Sequence, residues 1–191
     1  MPEQGGSRST ASARPAWRQG TGLGQGERAF LQFEGKDDHI GFPAWTFPIG
    51  AFTMELLVRP EPGGMDRTLF HTGNAALRIT IQADGQVRIE RNNRSVDDQA
   101  LNKPVVGDPV VTDGLWHHLA ASYDGTHLRL FVDGKPAGAT RIGTGLCRIN
   151  ALPSLGGYIR GSFVGTPYCG GMAGIHVRGE VLVPSGFRLL P

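Results

Sequence analysis

Cysteine is nearly absent. The 191 residues hold only Cys147 and Cys169, too few for a disulfide framework; one bridge is the most they can form, and buried free thiols are the plainer expectation. Lysine is almost as scarce, with Lys36, Lys103 and Lys135 against sixteen arginines. Charged residues make up only 19% of the chain, below the usual quarter or so. No apolar run approaches the roughly 18 residues that span a bilayer. The N-terminus has no apolar leader core, so neither membrane insertion nor a secretory signal is expected. Long stretches with a 3.6-residue apolar period are also missing, which argues against a helical protein. Gly20-Thr21-Gly22-Leu23-Gly24 follows no strand and opens no helix, so it is not read as a phosphate-binding loop.

Glycine is what the chain has instead. There are 29 glycines and 13 prolines with no Gly-X-Y period, which excludes collagen. Hydrophobic residues at 39% suffice for one packed core. High glycine without a helical period points to an all-β domain. Charge then divides the chain. Residues 1–28 carry Arg8, Arg14, Arg18 and Arg28 against Glu3 and Glu27, and so hold the whole formal charge of +2. Residues 29–191 hold 15 basic and 15 acidic groups. A neutral body disfavours nucleic-acid binding, which needs clustered cations. The first 28 residues are glycine-rich with scattered apolar side chains and cannot bury enough surface to fold alone. They are expected to form an extended, basic arm that orders on a partner through Arg14, Trp17 and Arg18, with Trp17 as the anchor. Residues 29–191 are expected to form one folded domain.

From Ala29 onward the pattern is that of strands. Phe30 to Phe33 is followed by Ile40, and Phe52 to Val58 is closed by Pro60. Leu77, Ile79 and Ile81 share one face while Arg78, Thr80 and Gln82 share the other. Asp84-Gly85 turns the chain, and Val87 and Ile89 return with Arg88 and Glu90 outward. Asp-Gly between alternating runs is read as a type I′ hairpin turn. Asp124-Gly125 and Asp133-Gly134, nine residues apart, predict a three-stranded meander starting at Trp116. Later strands are expected at 146–150, 155–159 and 172–178. About ten to twelve short strands fit the body, as an antiparallel two-sheet jelly-roll sandwich.

The order of these segments carries a resemblance. The run from Phe33 to Ile40 resembles the opening strand of laminin-G-like, concanavalin-A-like jelly-roll domains, and Phe52 to Pro60 is similar to their second strand. The most specific piece is Asp113 to Gly125 (DGLWHHLAASYDG), continuing through Leu128 to Lys135. Tyr168 to Val177 resembles the closing strand. The resemblance covers roughly residues 29–183 and implies a lectin- or glucanase-type sandwich. Two departures limit what it implies. Gly171 stands where laminin G domains often place a disulfide cysteine, and Cys169 lies two residues earlier. Ala173 and Gly174 stand where many relatives carry an acidic pair, so the resemblance alone does not imply calcium binding, although Asp37 and Asp38 remain as candidate ligands.

Catalysis finds little support. A glycosidase needs two carboxylates flanking the scissile bond, but Glu55 is alone on its strand and Glu90 lies among Arg88, Arg91 and Arg94. His117 and His118 are adjacent, so on a strand they point to opposite faces, and His39, His71, His127 and His176 show no paired ligand spacing. Ser122, Asp124 and His127 are separated by a turn and form no triad. Asp37, Asp38, Asp97, Asp98 and Asp108 offer oxygen ligands to calcium, although such aspartates serve turns equally well; no metal or other cofactor is assigned. Phe42, Trp45 and Phe47 lie in a proline-bounded loop. Their rings suit stacking on a sugar or filling a partner's pocket, or else capping the sandwich.

The expectation that follows is a non-catalytic module displayed on a larger assembly, such as a phage capsid or tail, and anchored by its arm among subunits that include copies of itself. That places it on a virion or at the cell exterior. The alternative is a stand-alone, lectin-like module that binds surface glycans. A glycoside hydrolase is the third reading.

Overall fold

The computed structural model describes residues 15–21, 27–42, 47–48, 50–72, 77–91, 103–142, 153–160 and 163–188. Arg14, Trp45, Asp97, Asp98, Cys147 and the strand expected at 146–150 lie outside the described residues. The described residues form fifteen strands. The first five are β1 (Ala16–Thr21), β2 (Glu27–Glu34), β3 (Ile40–Gly41), β4 (Phe52–Pro60) and β5 (Arg67–Thr72). The next are β6 (Arg78–Ile81), β7 (Gln86–Glu90), β8 (Val105–Val110), β9 (His117–Tyr123) and β10 (His127–Val132). The last are β11 (Lys135–Arg141), β12 (Pro153–Leu155), β13 (Tyr158–Arg160), β14 (Phe163–Gly165) and β15 (Cys169–Arg178). They exceed the expected ten to twelve because β3, β12, β13 and β14 span only two or three residues each, too few to show a period.

Two antiparallel sheets make the sandwich. One has seven strands in the order β1-β2-β15-β4-β9-β10-β11, the other six in the order β3-β12-β5-β6-β7-β8. A small β13-β14 ribbon stands apart. The closing strand β15 returns between β2 and β4, the crossed winding expected of a jelly roll. The meander read from the two Asp-Gly turns is β9-β10-β11. The core lies between the sheets and takes alternate residues from each strand: Phe52, Met54, Leu56 and Val58 from β4, Ile79 and Ile81 from β6, Val87 and Ile89 from β7. Of the arm, Ala16–Thr21 is extended as the edge strand of the larger sheet, pairing Trp17 with Leu31 and Arg18 with Phe30. A polar, glycine-rich segment can join a sheet because pairing satisfies its amides without any apolar contribution.

One turn differs from its expectation for an instructive reason. Only Asp133-Gly134 has both residues at positive φ, 50° and 73°, as a two-residue type I′ turn requires. At Asp84-Gly85 the glycine alone is positive, and Gly85 N–H donates to Gln82 O while Gln82 N–H donates to Gln86 O. That is a three-residue loop. Directly paired residues of an antiparallel ladder share a face. A two-residue loop at 84–85 would set odd residues opposite even ones and expose one strand's apolar set. The three-residue loop pairs Ile79 with Ile89 and Ile81 with Val87, so burial of the apolar faces overrides the local turn preference.

Candidate functional site

The same register puts a polar set on the outer face of the six-stranded sheet. Ser154 of β12 is opposite His71 of β5, His71 is opposite Arg78 of β6, and Arg78 is opposite Glu90 of β7. The next row holds Thr68, Thr80 and Arg88. At one rim stands the β13-β14 ribbon. Tyr158 sets its ring 5.7 Å from that of His71, and the Thr166 hydroxyl meets that of Thr68 at 2.6 Å.

Charge on this face is shared unevenly. Arg88 Nη2 lies 2.5 Å from Glu90 Oε1, and Arg78 Nε lies 3.4 Å from Glu90 Oε2. Two guanidiniums thus converge on one carboxylate, and the longer contact falls short of a hydrogen bond, leaving Arg78 Nε buried without one. His71 is only 6% exposed, and its Nδ1 is also buried without a partner. Burial, helped by the neighbouring Arg78 charge, pulls the His71 pKa down to about 4, so its ring is neutral at pH 7. Orphaned polar atoms are costly in a folded interior and call for an explanation.

The outer face of the seven-stranded sheet is built differently. Residues 179–188 cross it and cover Thr53 and Glu55, so that β4, packed on the core by its other side, is buried on both faces. Thr53 hooks the segment twice, donating to Glu180 O and accepting from Leu182 N–H, each at 2.8 Å. Phe187 lies over Phe131 and His118, at 5.3 Å from each ring. Beneath it Glu55 is fully buried. It meets His118 Nε2 at 3.0 Å and His176 Nδ1 at 3.2 Å, and accepts from the Arg188 amide at 2.8 Å. Burial lowers the His118 pKa, and the bond to Glu55 offsets this only in part. Beyond the covering segment, Arg59 places its guanidinium 4.9 Å from the Phe30 ring and 5.3 Å from Trp116.

The residues singled out from the sequence fare unevenly. Trp17 is 72% exposed and Arg18 is exposed too, but as neighbours on β1 they point to opposite faces, so they do not form one contact patch. Phe47 is buried in the core against Phe52 and Phe70, and Phe42 packs against that core. Neither offers a free stacking face, so both cap the sandwich. Glu55 and Glu90 face opposite outsides of the molecule and cannot flank one bond. Asp124 Oδ1 accepts from the Thr126 and His127 amides, which makes it a turn cap, and Ser122 Oγ is buried without a partner. Asp38 Oδ2 accepts from the Glu34 amide at 2.6 Å. No group of three or more His, Cys, Asp or Glu side chains suited to a metal occurs among the described residues. Cys169 is a free thiol that donates to Glu61 Oε2 at 3.2 Å. Sequence reasoning noted Arg78, Thr80, Arg88 and Glu90 as outward-facing but missed that they form one surface, which only the register reveals.

The strand order defines an antiparallel jelly-roll sandwich. The chain belongs to the concanavalin A-like lectin/glucanases superfamily, whose laminin-G model matches residues 34–182. No curated protein matches it in sequence. Among solved structures it resembles the CBM40 module of the Ruminococcus gnavus IT-sialidase bound to alpha2,3 sialyllactose. The TM-score is 0.64 at 15% identity, over 82% of this chain and 92% of that one. Domain 4 of the Geobacillus stearothermophilus arabinanase AbnA, in complex with arabinotriose, gives 0.62 at 19%, over 90% and 78%. The heptameric SAP-like pentraxin of Limulus polyphemus gives 0.61 at 17%, over 80% and 76%. At these identities the likeness is one of fold.

Proposed function

We propose that this chain is a non-catalytic carbohydrate-binding module that takes its glycan on the outer face of the six-stranded sheet. The observation that carries this is the row Ser154, His71, Arg78 and Glu90 across four strands, in which Arg78 and Glu90, with Arg88 of the next row, stay about one-third exposed and two guanidiniums share one carboxylate. A sugar offers hydroxyls that both donate and accept, which suits a surface mixing imidazole, guanidinium, carboxylate and hydroxyl groups. The Tyr158 ring at the rim adds an apolar face. The neighbours' glycan complexes favour this reading over display on a particle, and the separation of Glu55 from Glu90 favours binding over hydrolysis.

The test is glycan screening of the purified chain, followed by calorimetry with any sugar that binds. The expected result is saturable binding without turnover, weakened in Tyr158→Ala, which removes the ring at the rim, while circular dichroism stays that of the wild type. A blank screen on a folded protein, or binding unmoved by Tyr158→Ala, refutes it.

A further inference from the structure

We infer that the glycan taken by this face carries a carboxylate, as a uronic or sialic acid residue does, and that Arg78 and Arg88 hold it while Glu90 keeps their place when the site is empty. This rests on the glycan-binding reading above and goes beyond it by naming the sugar class.

The argument starts from donors. Each guanidinium presents five N–H groups in a fixed fork that matches a carboxylate with two parallel bonds. Arg88 uses Nε and Nη2, both on the single oxygen Oε1 of Glu90. Arg78 reaches only Oε2, at 3.4 Å. Neither arginine has another ion pair among the described residues, so two cations share one anion. Asp108, on the edge strand β8, makes no ion pair with either arginine among the described residues. A second carboxylate beside Glu90 would complete the charge balance and occupy the unused donors. All three side chains are half-buried, at 36%, 36% and 29% exposure. Ions are screened less there than on an open surface, while a ligand can still reach them.

The neighbours in the register then select a sugar over a simple carboxylic acid. His71 lies beside Arg78 on the same face, with Ser154 beyond it. Its ring is neutral at pH 7 and adds no charge beside the guanidiniums, so it borders the carboxylate site with an uncharged surface. Thr80 lies between Thr68 and Arg88 in the adjacent row. A carboxylated pyranose supplies an anion and neutral hydroxyls in one rigid ring.

The experiment compares matched sugars by calorimetry at pH 7 and low salt: sialyllactose against lactose, and digalacturonate against galactobiose. The carboxylated member of at least one pair is expected to bind tenfold or more tightly than its neutral partner, with the preference shrinking as salt rises. Arg88→Met and Arg78→Met should each remove that preference, while Glu90→Gln should strengthen binding of the acid by freeing both guanidiniums. Wild-type circular dichroism and melting of each variant separate lost recognition from lost fold. Equal binding within both pairs, or acid binding unmoved by both arginine variants, overturns the inference and leaves the glycan reading standing. Acid binding lost in Arg59→Met instead assigns the anion to the other sheet and also overturns it. No binding of any sugar in the screen removes both.

Discussion

The two outer faces of this sandwich start from the same strand alternation and end in different roles. On the seven-stranded sheet the chain covers its own polar residues. Glu55 accepts from an amide of the covering segment and meets two imidazoles, and Thr53 both donates to that segment and accepts from it. On the six-stranded sheet Arg78, Arg88 and Glu90 stay about one-third exposed, with two guanidiniums sharing one carboxylate; buried atoms without a hydrogen bond occur on both sheets, His71 Nδ1 and Arg78 Nε on this one and His118 Nδ1 and Ser122 Oγ on the other. Buried polar groups are tolerated when their bonds are met internally. Where charged groups stay half-exposed and share one counter-ion, a ligand can reach them. A carboxylate on one face is therefore structure, and on the other the proposed glycan reading gives it a part in recognition.

The largest expected effect tests that division directly. Glu55→Ala orphans the Arg188 amide and the buried His118 ring and should cost roughly 2–5 kcal/mol of stability. Glu90→Ala removes a half-exposed ion pair and should cost about 1 kcal/mol or less, while changing glycan binding. Urea denaturation of both variants beside the wild type measures the contrast. Equal costs would show that the two faces are not distinct in kind.

A smaller effect should appear with pH. The folded pKa of His71 is about 4 against 6.5 for an ordinary imidazole. Between those values the unfolded chain binds the extra proton more readily. The stability contributed by a neutral His71 is therefore present above pH 6.5 and lost as pH falls toward 4. His118 acts in the same direction. His117 opposes them. Burial lowers its pKa, but Asp133 and Asp113 at 2.9 and 3.0 Å outweigh burial and raise it overall, so its contribution is present at acid pH and fades as pH rises through its folded value. His71→Gln should flatten the acid limb of the stability profile. Titration of the imidazoles by NMR sharpens the comparison further: a saturating carboxylated sugar should raise the His71 pKa and leave His118 unmoved. A shift at His118 instead would mean that the covered face is the one that opens to ligand.

How much of this was legible beforehand depended on whether pairing was needed to see it. Fold class, the meander and the core faces of β4, β6, β7 and β10 follow from period-two alternation and Asp-Gly turns, which are local. The Glu90 environment was half legible. Arg88 and Glu90 could be seen to face outward, but Arg78 joins them only once the hairpin closes with three residues rather than two, and that choice is dictated by Ile79, Ile81, Val87 and Ile89. Those four residues alternate in the sequence itself, so the register is legible from them. The covering of Glu55 by residues 179–188 had no local signal. Nothing in Leu182 or Phe187 indicates which sheet they cross, because the contact spans 127 residues or more in the chain. The aromatic loop was legible only as two alternatives, because Phe42 and Phe47 look alike as surface platforms and as core caps until their packing is known.

The smallest expected effect concerns β1, the one element of the assembly expectation within the described residues. Trp17 is 72% exposed on an edge strand, far in the pairing order from the six-stranded face. Edge strands present unpaired amides on which another chain can build. In the isolated molecule, Trp17→Ser removes little buried surface and should change stability by no more than about 0.5 kcal/mol, with glycan affinity unchanged. Light scattering of wild type and variant at high concentration then decides what the edge does. Equal sizes mean that β1 only extends the sheet and that recognition belongs to the six-stranded face alone. A wild type that is larger, and falls to the variant's size when Trp17 is lost, means that this edge is a contact between chains. The module would then present its glycan faces in pairs or arrays, and binding to a multivalent glycan surface would strengthen with no new contact to any one sugar.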